Sequence, residues 1–356
     1  MVGIALATRW LLRPCKLESR QPLGVYCHQM LRCFRMLGTL GRPPSLSPLT
    51  DALDAKTAHG LAPILTAFAD ARSPLVITGA GISTSSGIPD YRSPNRPTYT
   101  PLNHNDFISK PNTRRRYWAR SFLGFHRMND TEPNEGHIAL ARLLVAGRVT
   151  VITQNVDRLH HRAVTSVLAS HGSVVPSAVV PPIIELHGTI FEVACLDCGW
   201  ETSRESTQDA LVSSNAAWRD RWLRAASSRP DGDVELPEES YSEFAMPRCG
   251  ACGGDHLKPK VVFFGGTLDP EVRAAAAEAA AAADFVLLAG TTVTTFSAFR
   301  LARDAARRGV PVAIINYGPT RADELLAGPQ WKIEGHTSPC LSLIAGTVLD
   351  QRQPTS

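Results

Sequence analysis

Short apolar runs, each followed directly by a glycine or a carboxamide residue, recur along this 356-residue chain. The four clearest are Leu75–Thr78, Val149–Thr153, Asp284–Ala289 and Val310–Ile315. A strand that is buried on both faces is expected to be apolar throughout, rather than alternating. Helix-favouring patterns separate these runs, over 55–72, 271–283 and 297–308. The alternation of strand and helix predicts an α/β fold with a doubly wound parallel sheet.

The charge is unevenly distributed. Residues 1–50 hold seven basic residues and one acidic residue, so their net charge is +6. The remaining 30 basic and 32 acidic residues give −2, which argues against a nucleic-acid-binding surface on the body of the chain. An Arg-rich, acid-poor leader that ends in a Pro- and Ser-rich linker is typical of a mitochondrial transit peptide. A tail without a targeting role, or a misassigned start, is the alternative. No apolar stretch is long enough for a membrane-spanning helix.

Four of the eight cysteines form two Cys-x-x-Cys pairs, Cys195 with Cys198 and Cys249 with Cys252. They lie in a polar stretch, about 190–260, that interrupts the alternation of strand and helix. Two such pairs can give four thiolates to one tetrahedral zinc ion, although the gap between the pairs is longer than in a zinc ribbon. Disulfides or a redox motif are the alternatives. The stretch also shows little strand repetition, and we predict one structural Zn²⁺ in a small inserted module.

Three motifs lie beyond the carboxyl ends of predicted strands, where open α/β sheets bind their ligands. The loop Gly79–Gly87 has glycines that let the backbone approach a phosphate, with a helix expected to follow. Its third glycine comes too late for the dinucleotide fingerprint, so a simple tight loop is nearly as good an interpretation. Asn and Asp residues in Thr153–Asp157 suit ribose hydroxyls or turn capping. Glu185–Gly188 carries His187, which is either functional or structural.

In this order, the motifs resemble those of the sirtuin family. The resemblance covers roughly residues 55–345 and rests on Gly79–Ser83, Gly87–Arg92, Thr153–Asp157, Glu185–Gly188, the cysteine pairs and Gly290–Thr292. The mitochondrial class II branch is most similar, through Arg116–Arg120, Cys195–Gly199, Pro230–Val234 and Asn316–Arg321. The resemblance implies an NAD-dependent protein lysine deacylase with a Rossmann-like domain and a small zinc-binding domain. Acyl-lysine proteins would be its substrates, with no nucleic-acid or membrane partner.

The resemblance also implies roles for individual residues. The pyrophosphate of NAD would lie against Gly79, Ala80, Gly81 and Ser83, under a loop that holds Asp90, Tyr91 and Arg92. The nicotinamide half would be bound by Gln154, Asn155, Val156 and Asp157. The adenosine half would be served by Gly290, Thr291, Thr292, Asn316, Tyr317 and Gly318. Zinc would be held by Cys195, Cys198, Cys249 and Cys252 and would take no part in the reaction.

His187 would be the general base. An imidazole titrates near neutral pH, so it can accept a proton from a ribose hydroxyl. The acyl-lysine oxygen would attack the ribose carbon that bears nicotinamide. The ribose hydroxyl activated by His187 would then attack the resulting imidate, and free lysine and O-acyl-ADP-ribose would follow. Protein ADP-ribosylation on the same fold, or a catalytically silent NAD- and zinc-binding module, are the alternatives.

These inferences divide the chain into four parts. We expect a transit peptide and linker over 1–50, and a Rossmann-like NAD-binding domain made of 51–189 and 258–348. The zinc module would span 190–257, and 349–356 would be a tail. We expect the mitochondrial matrix as the location. The chain departs from the family pattern in a longer segment around Val174–Pro182 and in Lys260. The basic run Arg114–Arg116 suits a solvated helix face better than an acidic acyl chain.

Overall fold

A computed structural model describes residues 53, 55–91, 101–170, 183–222, 227–228 and 234–351 of the chain. The predicted leader over 1–50, Arg92 and the Val174–Pro182 segment lie outside the described residues. Among the described residues, no helix has the length and apolar character needed to cross a membrane.

The main sheet has six parallel strands. Its strands are β1 (Pro74–Thr78), β2 (Thr150–Thr153), β3 (Ile183–Glu185), β9 (Phe285–Ala289), β10 (Val312–Ile315) and β11 (Lys332–Ile333). Their spatial order is β11–β10–β9–β1–β2–β3. All pairings are parallel, and Leu75 of β1 lies between Thr150 and Val286 of its two neighbours. Because the chain winds outward from β1 in one direction and later returns to β9 on its other side, the strand order reverses between β1 and β9.

Helices cover both faces of this sheet, as a doubly wound fold requires. The α-helices among the described residues are α1 (Ala55–Asp70), α2 (His104–Ser109), α3 (Pro111–Asp130), α4 (Glu135–Val145), α5 (Leu159–Ser170), α6 (Arg204–Ser214), α7 (Ala216–Trp222), α8 (Pro270–Ala282), α9 (Phe296–Arg307) and α10 (Thr337–Asp350). One apolar core joins α1, α4, α5 and α10 to one face, through side chains such as Phe68 and Leu341. A second core joins α8 and α9 to the opposite face, through Ala276 and Leu301. The predicted fold class is confirmed.

The cysteine-containing stretch is more regular than its composition indicated. A three-stranded antiparallel sheet forms in the order β5–β4–β8, from β4 (Gly188–Cys195), β5 (Glu201–Ser203) and β8 (Leu257–Val261). A two-stranded pair follows, β6 (Ser227–Ser228) with β7 (Val234–Glu235). The sequence shows little strand repetition here because β8 lies more than fifty residues after β5. The domain boundaries stay a prediction.

Helix α3 supplies a large part of the core beneath this small sheet. Trp118 and Phe122 of α3 are buried together with Val193 and Leu257 of the sheet and Trp218 of α7. The Trp118 indole N–H donates to the backbone oxygen of Leu257 at 3.0 Å. The small sheet therefore shares one core with a helix that precedes it by more than fifty residues in sequence.

Candidate functional site

Two glycine loops meet at the point where the strand order reverses. One follows β1 and the other follows β9, and Gly81 N–H donates to the Gly290 oxygen at 2.8 Å. A Cβ atom at Gly290, whose φ is +61°, would lie 2.5 Å from the amide nitrogen of Ile82. A Cβ at Gly81 would lie 2.7 Å from the Gly290 oxygen. The glycines are thus required for the two backbones to approach each other at the carboxyl edge of the sheet, where such sheets bind ligands.

The segment after Gly79 is helical, as expected. Residues Ala80–Ser86 form a 3₁₀ helix with Gly79 at its N-terminal boundary. The turn closes at Gly87, which has a left-handed conformation with φ of +88°. A short 3₁₀ segment keeps Ala80 and Gly81 beside the Gly290 loop, where the Gly81 N–H donates to the Gly290 oxygen.

The amide residues that follow β2 connect the two loops. Gln154 Nε2 donates to the Thr291 hydroxyl at 2.8 Å and to the Thr78 oxygen at 3.1 Å. Asn155 Nδ2 donates to the Gly79 oxygen and to the Ser83 hydroxyl, both at 3.1 Å. Gln154 thus joins the ends of β1 and β9, and Asn155 bonds the first loop, because parallel strands place their carboxyl ends at the same edge of the sheet.

Asp157 is buried beneath the first loop. Its carboxylate accepts a hydrogen bond from the Ser83 hydroxyl at 2.7 Å and another from the Leu159 backbone N–H at 3.0 Å. Burial raises the pKa of Asp157, and these hydrogen bonds act in the opposite direction. Val156, next to it, packs on an apolar cluster that includes Phe191. Asp157 therefore anchors Ser83 and the loop around it.

Two buried histidines extend this polar network, and sequence reasoning missed both. His160 Nε2 lies 2.9 Å from the Thr78 hydroxyl, and His137 Nε2 lies 3.4 Å from the Ser83 hydroxyl. Their rings stack edge to face with centroids 4.9 Å apart. Burial lowers the pKa of His137 to about 3 and the pKa of His160 well below its usual value, so both are neutral. Asn134 caps α4 three residues before His137, but this spacing indicates only where the helix starts and predicts neither histidine's contact.

His187 lies at the end of β3, beside Gln154. Its Nδ1 is 3.2 Å from the Gln154 backbone oxygen, and its Nε2 is 2.9 Å from the hydroxyl of Ser297 at the start of α9. Burial lowers the pKa of His187, while the Gln154 contact opposes this shift, so the ring is neutral near pH 7. Gly188 after it has φ of +74°, and a Cβ there would lie 1.8 Å from the Lys260 oxygen. Glycine is therefore needed for β4 to pair with β8 next to the histidine.

The remaining predicted residues are more widely spread. Thr291 contacts Gln154, and Thr292 lies 3.1 Å from Thr294 through the two hydroxyl oxygens. Asn316 follows β10 and its side chain donates to the Tyr317 oxygen at 2.7 Å. Tyr317 is 59% exposed and stacks on His336, and Gly318 turns the chain with φ of +72°. Asp90 and Tyr91 follow Gly87–Pro89 in the chain, and Tyr91 is exposed.

The four paired cysteines converge. Their sulfur atoms all lie within 4.8 Å of one another. Cys195 and Cys252 are 3.7 Å apart and Cys198 and Cys249 are 3.6 Å apart, measured between sulfurs. These distances exceed a disulfide bond, whereas tetrahedral zinc with Zn–S bonds of about 2.3 Å places its sulfurs about 3.8 Å apart. The four thiols therefore fit one closed, structural zinc ion.

The basic run on α3 is structural. Arg114 is buried, not on a solvated face, and it donates to the backbone oxygens of Phe107 and Ile108 and to Asp255 at 3.2 Å. Arg116 is more exposed and pairs with Glu238 at 2.8 Å. The prediction is thus wrong for Arg114, because its side chain faces the end of α2 and Asp255, which lies just before β8. In this structure Arg114 is committed to protein partners.

A chain of charges runs from β3 to the small sheet. Arg158 faces Glu185 at 3.7 Å and also bonds Glu192, which in turn lies 3.3 Å from Lys260. Burial raises the pKa of Glu185 to about 7, with Arg158 acting in the opposite direction. Lys260, which departs from the family pattern, thereby has its positive charge compensated by Glu192 and by Glu201, the latter at 3.1 Å.

Fold and site together define an α/β protein with a ligand crevice at the carboxyl edge of its sheet and a separate four-cysteine metal site. The profile of the Sir2 family matches residues 79–297, which include the two glycine loops, His187 and all four cysteines. The chain belongs to the Sir2 family.

Relatives and solved structures agree with this assignment. "NAD-dependent protein deacylase SIR4" of Monosiga brevicollis is 44% identical over 267 residues, covering 74% of this chain and 82% of the relative. "NAD-dependent protein lipoamidase sirtuin-4, mitochondrial" of Homo sapiens is 40% identical over 257 residues, covering 70% and 76%. The solved structure described as "Sir2-p53 peptide-NAD+" superposes with a TM-score of 0.57 at 26% identity, over 82% of this chain and 98% of that one.

Proposed function

We propose that this chain is an NAD-dependent protein lysine deacylase, which transfers an acyl group from lysine to ADP-ribose and releases nicotinamide. The observation that carries the proposal is the position of His187. It lies at the carboxyl edge of the sheet, bonded to Gln154, whose side chain reaches the loop after β9. A neutral imidazole is thus placed beside the crevice between the two glycine loops, inside a family whose relatives carry deacylase names.

The residues of the crevice suit the parts of NAD. The pyrophosphate would lie against the backbone of the two glycine loops, at the start of the 3₁₀ helix. Gln154, Asn155 and Asp157 would hold the nicotinamide half, and the loop Gly290–Thr292 with Asn316 would hold the adenosine half. When bound, NAD supplies the ribose carbon to which the acyl oxygen becomes attached. The chain supplies the fixed polar groups and the imidazole that accepts a hydroxyl proton.

The four cysteines would hold one zinc ion. With four thiolates the metal would have no open position for a substrate or a water molecule. Its contribution would be to join the two Cys-x-x-Cys turns, one at the end of β4 and the other before β8. Zinc thereby stabilises the small sheet whose first strand begins directly after His187.

We further propose that the enzyme works in the mitochondrial matrix. Two features support this location, the basic leader over 1–50 and the mitochondrial names of the sirtuin-4 relatives from Homo sapiens and Bos taurus. Residues 1–50 fused to a fluorescent protein should carry it into mitochondria. The same fusion with the seven basic residues replaced by Gln should stay outside, and equal import of both would contradict the proposal.

The test of the activity is a panel of acyl-lysine peptides incubated with NAD and the purified chain. We expect nicotinamide release with at least one acyl group, and its loss in His187→Ala. A variant on α6, Ser213→Ala, is the control, because that exposed hydroxyl donates to the Asp209 oxygen of its own helix. Absence of turnover on every peptide would overturn the proposal. Transfer of ADP-ribose to protein, without free lysine, would show a transferase instead.

A further inference from the structure

Ser297 is a polar residue beside His187 that the sequence motifs do not include. It occupies the second position of α9, after the boundary residue Thr295, and its hydroxyl lies 2.9 Å from His187 Nε2. A hydroxyl this close to the imidazole bears directly on which ring nitrogen can take a proton.

The opposite nitrogen fixes the tautomer. His187 Nδ1 lies 3.2 Å from the backbone oxygen of Gln154, and a carbonyl oxygen can only accept. Nδ1 must therefore carry the proton, and in the neutral ring Nε2 holds the only free lone pair. Because a neutral Nε2 has no proton to give, Ser297 is the donor in this hydrogen bond. The hydroxyl thus occupies the one ring position that can accept a proton in the reaction.

The start of α9 contacts the site through two hydroxyl groups. Besides the Ser297 contact, the Thr295 hydroxyl donates to Gln154 Oε1 at 3.2 Å. Gln154 and His187 are joined to each other through the Gln154 backbone oxygen. Gln154, which Thr295 holds in place, and Ser297 therefore fix the orientation of the His187 ring. Of these residues, Ser297 is the one that bonds Nε2.

We infer that Ser297 is a positioning residue for His187. Its hydroxyl holds Nε2 toward the crevice in the Nδ1–H tautomer until a ribose hydroxyl takes its place. This inference rests on the proposed function, since it presumes that Nε2 accepts a proton from a ribose hydroxyl. It also goes further, because it names Ser297, a residue outside the family motifs, as one on which this proton transfer depends.

The test compares Ser297→Ala and Ser297→Thr with the unmodified chain in two assays. Exchange of labelled nicotinamide into NAD, with acyl peptide present, reports the attack of the acyl oxygen, which precedes the use of a base. Formation of O-acyl-ADP-ribose reports the later step. Loss of one positioning hydrogen bond of ordinary strength corresponds to about 5- to 10-fold in rate. We expect that loss in product formation for Ser297→Ala, exchange within about twofold, and recovery in Ser297→Thr.

A third measurement needs no substrate. In ¹⁵N spectra of the free protein, the His187 ring signals, identified by their loss in His187→Gln, should show the Nδ1–H tautomer. In Ser297→Ala the Nε2 signal should move and the ring should protonate at a higher pH, because the donor that favours the neutral form is gone. Ser213→Ala should leave both unchanged.

Several results would overturn the inference. They are unchanged product formation in Ser297→Ala, an equal loss in both assays, and a loss as complete as in His187→Ala, which would make the hydroxyl itself a proton carrier. An Nε2–H tautomer in the free protein would also refute it. If the unmodified chain turns over no acyl peptide, the proposed function fails. The spectra still decide separately whether Ser297 donates to Nε2.

Discussion

Replacing Gly290 by alanine tests whether the contact between the two glycine loops is required. The added Cβ would lie 2.5 Å from the Ile82 nitrogen and 2.7 Å from the Gly81 carbonyl carbon, both backbone atoms. The left-handed φ of +61° adds strain of about 1–2 kcal/mol for any residue with a Cβ. Forcing two backbones apart adds about 1–3 kcal/mol. The sum is a loss of about 2–5 kcal/mol in the free energy of unfolding.

Gly309→Ala is the matched control. Gly309 also has a left-handed φ, +81°, but a Cβ there would have no atom within 4 Å. It should therefore cost only the strain, about 1–2 kcal/mol. Thermal unfolding measured by circular dichroism should lower Tm more for Gly290→Ala, at roughly 2 °C per kcal/mol in a chain of this size. Calorimetric titration with NAD should show weaker binding for Gly290→Ala and unchanged binding for Gly309→Ala. Equal Tm losses and equal NAD affinities would refute the loop contact.

Three further predictions concern the framework. Arg114→Ala should lower the free energy of unfolding in urea by about 3 kcal/mol, because it removes the ion pair of a buried arginine and two hydrogen bonds to carbonyl oxygens. Arg116→Ala should lower it by less than about 1 kcal/mol. Similar losses in the two variants would contradict the burial of Arg114. Glu185→Gln should stabilise the protein at pH 8, by roughly 3 kcal/mol at most, and change it little at pH 4. The pKa of Glu185 is raised to about 7 in the folded state, so the unmodified protein loses stability as pH rises from the pKa of the unfolded chain to about 7. An equal stabilisation by Glu185→Gln at both pH values would refute this. Cys249→Ser should lose the zinc ion and lower Tm, while Cys340→Ala should keep the metal, as measured by elemental analysis; zinc retained in Cys249→Ser would contradict the four-cysteine site.

The parts of the fold that the sequence predicted are those with a local pattern. Strands such as Phe285–Ala289 are apolar throughout because both faces are covered by helices, and that requirement is visible in five consecutive residues. The Cys-x-x-Cys spacing likewise predicted the four-sulfur cluster. In both cases the physical constraint acts within one element or one turn.

The parts that the sequence did not predict depend on contacts between distant segments. Trp118 packs beneath the small sheet and Arg114 is buried against Asp255, contacts that span 139 and 141 residues. A helical pattern shows that α3 has an apolar face, but not which sheet that face meets. The small sheet itself joins strands from both sides of a long insertion. Its pairing is therefore set by tertiary packing rather than by local propensity.

The site shows the same division. Gln154, Asn155 and His187 follow strands and could be assigned to the crevice from sequence position alone. Ser297 and the buried pair His137 and His160 could not, because their roles come from a hydrogen bond or a ring contact across the fold. Serine near a helix start is ordinary capping chemistry, so nothing in the residue type distinguishes it.

The most direct test of the account is the identity and ratio of the products made from NAD and an acyl-lysine peptide. Mass spectrometry of the reaction should show nicotinamide, unmodified lysine peptide and O-acyl-ADP-ribose in equal amounts, with all three lost in His187→Ala. Free ADP-ribose with the acyl group still on lysine, ADP-ribose attached to protein, or products retained in His187→Ala would contradict it.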